Sequence, residues 1–312
     1  MQSIGELKQF INSAWGLTGE RGKSPPPFFP GPQPISIERK HIPSLKRNEY
    51  FVCEKTDGTR VALVCLRIGT KKLTYLVNRA LEFTPVKMFI KNSAYEGTIL
   101  DAELISTDNG KSSLMVYDSV MVSGISISGY SFPERLKYIH GFLAGIMKSP
   151  RDPFEVKLKT FYPMVECKTL FDKIKGGGFD HGTDGLIFTP VNEPVRVGTH
   201  NTMFKWKPRD KNTVDFLAQV RDDGQVGLYV QDRGEMIFES IYNPAEVVTD
   251  IPDVQSGDIL ECQYQHSSWP RWWKPIGRRT DKKHPNNRRT LSRTMVNIEQ
   301  DIQESEFLKI QK

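Results

Sequence analysis

Tyr50-Phe51-Val52-Cys53-Glu54-Lys55-Thr56-Asp57-Gly58-Thr59-Arg60 is the stretch on which the reading of this chain turns. The short apolar run Tyr50 to Cys53 predicts a strand and Asp57-Gly58 a tight turn, so the strand delivers Lys55 to a place where its amine can reach a phosphate. A solvated lysine has a pKa of about 10.4, which leaves only about one amine in a few thousand unprotonated and nucleophilic at neutral pH. A reactive Lys55 therefore needs neighbours that depress it, and cationic groups with partial burial do so. Lys205-Trp206-Lys207, on a later strand-like stretch, could supply that charge. The competing reading is an ordinary hairpin turn carrying a solvated lysine.

Composition narrows the choice. At 312 residues the chain suggests two domains or one large one, and 38% apolar with 26% charged residues indicates a globular protein with a real core. No apolar run approaches the roughly 18 residues needed to cross a bilayer, and Ser3, Glu6 and Gln9 near the start do not make a signal-peptide pattern. The expectation is a protein with no membrane partner that works inside a cell. Cys53, Cys65, Cys167 and Cys262 are scattered singly, which argues against a zinc site or a disulfide framework and for reduced, mostly buried thiols. The net charge of +6 matters chiefly where it is concentrated. From Arg271 to Arg293 nine Lys or Arg face the single acid Asp281, with Trp269, Trp272 and Trp273 at the upstream edge. Such a stretch can bind polyphosphate or nucleic acid, or simply be a solvated basic face.

Along the chain, Ser3-Ile4-Gly5-Glu6 reads as a capping box, and Ile4, Leu7, Phe10, Ile11 and Trp15 recur at helical spacing. Ser24 to Pro34 is proline-rich and must be extended, which predicts a rigid strap on the protein's own surface. Strand patterns follow at Arg60 to Arg67, Leu73 to Asn78, Thr98 to Ile105 and Leu114 to Asp118, the first two joined as a hairpin through Gly69 to Lys72. Helices are predicted from Pro133 to about Met147 and near Val165 to Ile174, the latter stopped by Gly176-Gly177-Gly178. Strands Leu186 to Thr189 and Thr202 to Trp206 complete this part. Beyond Pro208, short strands at Val214 to Val220, Val226 to Gln231, Met236 to Tyr242 and Asp258 to Tyr264 suit a small β-barrel. The tail returns to helix through Leu291, Met295, Ile298 and Ile302.

Polar groups then fall at strand ends and turns in a set order: Asn78-Arg79, Leu100-Asp101-Ala102-Glu103-Leu104, Val116-Tyr117-Asp118, Thr183-Asp184-Gly185-Leu186-Ile187-Phe188, Phe204-Lys205-Trp206-Lys207-Pro208 and Arg279-Thr280-Asp281-Lys282. With the Lys-x-Asp-Gly-x-Arg head, this order resembles the covalent nucleotidyltransferase superfamily of RNA capping guanylyltransferases and polynucleotide ligases, over nearly the whole chain. Within it the chain is most similar to mRNA capping guanylyltransferases, particularly the compact enzymes of large DNA viruses. Phe29-Pro30-Gly31-Pro32-Gln33-Pro34-Ile35-Ser36, the Asp184-Gly185 pair in place of the Glu-Gly of ligases, and Lys205-Trp206-Lys207-Pro208 with Thr213-Val214-Asp215-Phe216 carry that distinction. The resemblance implies an α+β fold: a nucleotidyltransferase domain of mixed, mainly antiparallel sheets with flanking helices over 1–210, a β-barrel OB-fold lid over 211–300, and a C-terminal helix end, 301–312, that could pack back on the first domain.

It also implies roles. Lys55 would attack the α-phosphate of GTP to give lysyl-GMP and pyrophosphate, with Lys205 and Lys207 on the α-phosphate. Arg60, Arg79 and Glu103 would lie on the ribose side. Tyr117 would stack on guanine, and Lys159 would read its 6-oxo group, with Lys157 the alternative one strand register away. Asp184, Glu103 and Asp215 would surround Mg²⁺ or Mn²⁺, through water where the ion keeps its hydration shell. Arg279, Asp281 and Lys282 would close over the β- and γ-phosphates, with Arg278 an alternative alignment. Ala102 departs from the family's usual Gly but leaves both flanking carboxylates. The implied reaction transfers GMP to a 5′-diphosphate RNA end. Its rivals are an ATP-dependent RNA or DNA ligase and a non-catalytic RNA-binding module. The chain has no Cys-x5-Arg phosphatase signature and no Gly-rich methyltransferase motif, so a separate RNA triphosphatase and a separate cap methyltransferase are the expected partners. The expected location is the nucleus for a cellular protein, or the host cell or virion for a viral one.

Overall fold

The computed structural model describes residues 2–17, 28–147, 149, 151–247, 249, 251–265, 272–280 and 282–310. Ser24 to Pro27 of the strap, Trp269, Arg271 and Asp281 thus lie outside the described residues. The chain divides into two compact units: residues 1–35, 42–206 and 304–312 form the first, and 36–41 with 207–303 the second.

The first unit contains α1 (Gln2–Ala14), β1 (Gln33–Ser36, whose last residue falls in the second unit), α2 (Ile42–Arg47), β2 (Tyr50–Thr56), β3 (Thr59–Ile68), β4 (Lys71–Asn78), β5 (Phe83–Pro85), β6 (Thr98–Ser106), β7 (Ser112–Val122) and β8 (Ile125–Ser126). It continues with α3 (Phe132–Leu143), β9 (Glu155–Leu158), β10 (Tyr162–Pro163), α4 (Cys167–Lys175), β11 (Thr183–Pro190) and β12 (Thr199–Trp206). These strands make two sheets. One has the order β1-β12-β11-β2-β10; the other runs β5-β4-β3-β6-β7-β8, with β9 added parallel to β7.

The alternation read in β3 is that of a strand covered on both sides. Val61, Leu63 and Cys65 join Leu100, Ala102, Leu114 and Val116 under Ile139 and Phe142 of α3. Ala62, Val64 and Leu66 face the other way, onto Leu7, Ile11 and Ala14 of α1. Burial of an aliphatic side chain contributes roughly 1.5–3 kcal/mol, so this double-sided core is what holds the sheet between two helices. Ser3 lies inside α1 rather than at its cap, so the capping box is not the helix start. The cap is built at α3 instead, where Ser131 and Glu134 form the reciprocal pair and Pro133 occupies the first turn. That helix ends at Leu143, earlier than its apolar spacing suggested.

Two connections matter for chemistry. Asp57-Gly58 does not close a hairpin, because β2 and β3 belong to different sheets; the turn carries the chain from one to the other. A side chain at Gly58 would meet the Leu104 carbonyl oxygen and Ile105 Cγ2 at 2.7 Å, so only glycine lets the turn press onto β6. In the described part of the strap, Phe29 is buried and Pro32 accepts a hydrogen bond from Arg60 Nη1 at 2.7 Å. The strap thus lies on its own unit, and a Cβ at Gly31 would collide with Arg60 Nη2 and the Phe29 ring.

The second unit contains β13 (Thr213–Val220), β14 (Val226–Asp232), β15 (Glu235–Tyr242), β16 (Ile259–Gln265), β17 (Trp272–Arg278) and α5 (Arg288–Gln300). Its sheet order, β15-β14-β13-β16-β17, is that of a five-stranded OB-type fold. Among the described residues β15 and β17 approach one another without forming a ladder, so the expected barrel is a curled sheet left partly open. Val214, Phe216, Leu228, Val230, Leu260 and Trp273 form its core with Leu291 and Ile298 of α5. β17 has no counterpart in the sequence reading, since its Lys274, Pro275 and Arg278 hide the alternation. Pro275 is tolerated because β17 is an edge strand and pairs at a register shift in β16. Residues 36–41 return to this unit, where Asn297 donates to the Ile37 carbonyl at 2.6 Å. The last helix, α6 (Glu304–Leu308), belongs to the first unit, and Phe307 packs there against Phe188 and Trp206.

All four cysteines are free and buried. Among the described residues no helix is long and apolar enough to cross a membrane.

Candidate active site

Lys55 is the second-last residue of β2, on the same pleat face as Cys53 and opposite to the buried Glu54. Its ammonium is paired with Asp184, Nζ to Oδ1 2.8 Å and to Oδ2 3.1 Å. The pairing depends on an irregularity in β11: Thr183 sits opposite Thr56 and Leu186 opposite Glu54, so one extra residue is accommodated between them. A bulge re-aims side chains, and here it turns Asp184 toward Lys55.

The other sheet supplies the facing groups. Along β3 and β6 the face that begins with Ala62, Val64 and Ile99 becomes charged toward the Asp57-Gly58 turn, with Arg60, Asp101 and Glu103. Arg60 and Glu103 are directly opposed in register. Asp101 holds Arg60 through two parallel bonds, Nε to Oδ1 3.0 Å and Nη2 to Oδ2 2.6 Å, with side chains only 9% and 2% exposed. Tyr117, the extra residue of a register shift between β6 and β7, donates its hydroxyl to Asp101 Oδ1 at 2.7 Å. Burial pushes the Tyr117 phenol well above its ordinary value. Burial also raises the Glu103 carboxyl, an effect opposed by Lys159, then Lys55, and reinforced by Asp101. Groups from both sheets therefore act on one carboxylate.

Lys159, just past β9, is buried; its Nζ donates to the Glu54 carbonyl at 2.6 Å and lies 3.5 Å from Glu54 Oε1. Lys157 is instead half-exposed, against Glu155 and Asp180 at 3.2 and 3.7 Å. Of the two, Lys159 is the buried one and the one that acts on Glu103. Lys205 is half-buried on β12, in register with Ile187 of β11 and, beyond it, Cys53 of β2, so it shares the face that presents Lys55. Arg79 lies on the exposed rim, donating to Gln33 Oε1 at 3.1 Å.

Lys207, Asp215, Arg279 and Lys282 belong to the second unit. There the buried Asp215 is paired with Arg279, at 3.2 Å, and with Lys282. Of the expected trio, Glu103 and Asp184 belong to the first unit and Asp215 to the second, where its carboxylate is engaged by Arg279 and Lys282. Among the described residues no group of three or more His, Cys, Asp or Glu could hold a metal ion. Glu103 and Asp184 remain the oxygen donors chemically suited to a hard divalent cation, and the half-buried, only partly compensated charge of Glu103 fits one.

The sequence reading quotes Asp101 within the Leu100 to Leu104 motif without giving it a role, and it gives none to Glu54 or His181, which complete this cluster. Asp101 was legible as the residue two before Glu103, on the same strand face. Glu54 was legible as an acid inside an otherwise apolar strand.

Residues 2–209 match the family model for the mRNA capping enzyme catalytic domain, and residues 211–308 match that for the mRNA capping enzyme C-terminal domain. The chain belongs to the mRNA capping enzyme family. This capping-enzyme chain is 28% identical to the mRNA-capping enzyme subunit alpha of Schizosaccharomyces pombe, over 91% of its own length and 80% of that protein. It is 33% identical to the mRNA-capping enzyme subunit alpha of Yarrowia lipolytica, over 62% of its own length and 54% of that protein. The mRNA-capping enzyme of Danio rerio is 27% identical over 91% of the chain, which spans about half, 48%, of that longer protein. A solved mycobacterial DNA ligase D bound to ATP and MES aligns with 81% of the chain and 96% of its own, at 14% identity and a TM-score of 0.47.

Proposed function

We propose that this capping-enzyme chain is a GTP:RNA guanylyltransferase in which Lys55 carries GMP from GTP to the 5′-diphosphate end of RNA. The observation that carries the reading is the Lys55–Asp184 pair just before the turn between two sheets, with Lys55 and Lys159 both acting on the Glu103 carboxylate.

In the first step the Lys55 amine, released from Asp184 and deprotonated, attacks the α-phosphorus of GTP. A phosphorus–nitrogen bond forms, the bond from the α-phosphorus to the bridging oxygen breaks, and pyrophosphate leaves. Lys205, on the same sheet face, neutralises charge gathering on the α-phosphate oxygens. In the second step a terminal oxygen of the RNA diphosphate attacks the same phosphorus, and the amine departs to regenerate Lys55. Arg60 is held by Asp101 and Pro32, so it shapes the ribose side rather than swinging toward it. The half-buried Tyr117 ring, tethered by its hydroxyl, is suited to stack on a purine, an interaction worth roughly 1–3 kcal/mol. Lys159 favours guanine through its 6-oxo acceptor. Glu103 and Asp184 would hold Mg²⁺ or Mn²⁺, which would offset charge on the transferring phosphate.

In the second unit, Arg279 and Lys282 are the cations suited to the leaving pyrophosphate, and Lys207 to the α-phosphate. The names of the fungal relatives, as alpha subunits, support separate partner proteins, for which an RNA triphosphatase and a cap methyltransferase are the chemical complement. The site of action is intracellular: the nucleus for a cellular enzyme, the host cell or virion for a viral one.

Incubation with a divalent cation and α-labelled GTP or ATP tests the reading. Label from GTP and not ATP is expected, and Lys55→Ala should take up none. Label from ATP alone would make the chain a ligase-type adenylyltransferase, and label from neither would leave a binding module.

A further inference from the structure

Glu54 is 1% exposed, and acids in such positions need partners. Three groups converge on its Oε1: Thr56 Oγ1 at 3.3 Å, Lys159 Nζ at 3.5 Å and His181 Nε2 at 3.6 Å. Yet Glu54 Oε2 and His181 Nε2 are buried without a hydrogen-bond partner. Buried polar atoms almost always have one, so the cluster is not arranged for stability alone. Its most direct product is the placement of one ammonium. β10 pairs only with Phe51 and Val52 of β2, which leaves the β2 edge open at Glu54. Lys159 fills that edge, its Nζ donating to the Glu54 carbonyl while its carboxylate neighbour sits behind it.

We propose that Glu54 is a positioning residue for base recognition, holding the Lys159 ammonium where it meets the 6-oxo group of guanine, with His181 setting how strongly Glu54 competes for that ammonium. This rests on the guanylyl-transfer reading above. Lys159 also acts on Glu103, so a shift in its position is felt on the site side as well as at Glu54.

The electrostatics supply a pH signature. The facing Glu54 carboxylate raises the His181 imidazole above its ordinary value of 6.5, against burial and with help from Asp180, whose Oδ1 is 3.0 Å from Nδ1. Glu54 is pushed up by burial, but His181 and Lys159 outweigh this and hold it below the usual carboxylate range. The charged groups facing this imidazole are Glu54 from β2 and Asp180 from its own loop. Lys157 and Lys159, from the β9 segment, face those two acids, and Lys173 of α4 lies over the adjoining Phe179 ring. When His181 loses its proton, Lys159 is the remaining cation on Glu54 and is drawn back toward it. Recognition of the 6-oxo group should then weaken as pH rises through the raised His181 value.

The test compares kcat/KM for covalent labelling by GTP and by 2-aminopurine riboside triphosphate, which lacks the 6-oxo group. Taking the ratio cancels the titration of Lys55, common to both. Wild type should prefer GTP by about tenfold or more, the preference falling between pH 6 and pH 8.5. Glu54→Gln should lower the preference about tenfold, mainly through KM for GTP, with kcat at saturating GTP little changed. His181→Gln should make the ratio independent of pH, and it serves as the second test if Glu54→Gln does not fold. Preference retained by both variants, or lost through kcat alone, would overturn the assignment while leaving guanylyl transfer intact. A wild-type protein that takes no label from GTP would instead sink the reading on which it rests.

Discussion

Lys55 and Asp184, from neighbouring strands β2 and β11, are joined by an ion pair of 2.8 Å that exists because β11 carries one extra residue at that point. An ammonium held this way has no lone pair to offer. Attack on phosphorus requires the pair to open, and the same carboxylate is close enough to steer the amine and the departing proton. Asp184→Asn should therefore lower the rate of covalent labelling by about 10²-fold or more. The side chains are only 25% and 18% exposed, so the loss of the ion pair should also lower stability, by about 1–3 kcal/mol. Single-turnover labelling alongside a thermal melt separates the two effects; normal labelling by Asp184→Asn would remove Asp184 from the site.

Gly58 presses on backbone. With the Leu104 carbonyl 2.7 Å from where a Cβ would stand, Gly58→Ala should be destabilised by about 1–3 kcal/mol, read by chemical denaturation. Because the turn joins the strand of Lys55 to that of Arg60, labelling should fall as well. Unchanged stability would mean that the turn relaxes at no cost.

Arg60 and Asp101 are a buried, two-bond pair. Removing one partner strands the other, so Asp101→Ala should cost about 3–5 kcal/mol. Arg60→Lys should not rescue the arrangement, since an ammonium cannot make the forked contact while also donating to Pro32. Equal stability of wild type and Asp101→Ala, measured in urea, would contradict this.

Glu103 gives the pH dependence its sign. Burial raises its carboxyl above the ordinary 4.5, so the folded protein binds the proton more tightly than the unfolded chain does. Its contribution is fully present below the unfolded value and is lost as pH rises through the folded one. Glu103→Gln should accordingly melt higher than wild type at neutral pH, with the difference shrinking toward pH 4, while losing labelling activity. A variant that melts lower than wild type at pH 7 would show that Glu103 is net stabilising there.

The extent to which this was legible in the sequence follows the physics of each element. Period-2 patterns in β3, β4, β6 and β7 were readable because each face meets a dense apolar layer. Lys55, Asp184 and Lys205 were readable as motif residues, since turn and strand-end positions are marked by glycine and charge. β17 was not, because an edge strand tolerates Lys274, Pro275 and Arg278, which erase the alternation. The capping box was misplaced because any Ser-x-x-Glu before an apolar run fits the pattern, whereas α3 has both side chains in place. Asp215 joins Glu103 and Asp184 only through the family resemblance. Sequence order does not carry the information that Arg279 and Lys282, just past β17, take up its charge.

The most direct measurement is mass spectrometry of the protein after incubation with GTP and Mg²⁺ or Mn²⁺, followed by peptide mapping. The account predicts one added guanylyl group, acid-labile and located on Lys55 in the peptide that contains Thr56-Asp57-Gly58. An adduct on any other residue, or an unmodified Lys55 in protein that nonetheless releases pyrophosphate from GTP, would contradict it.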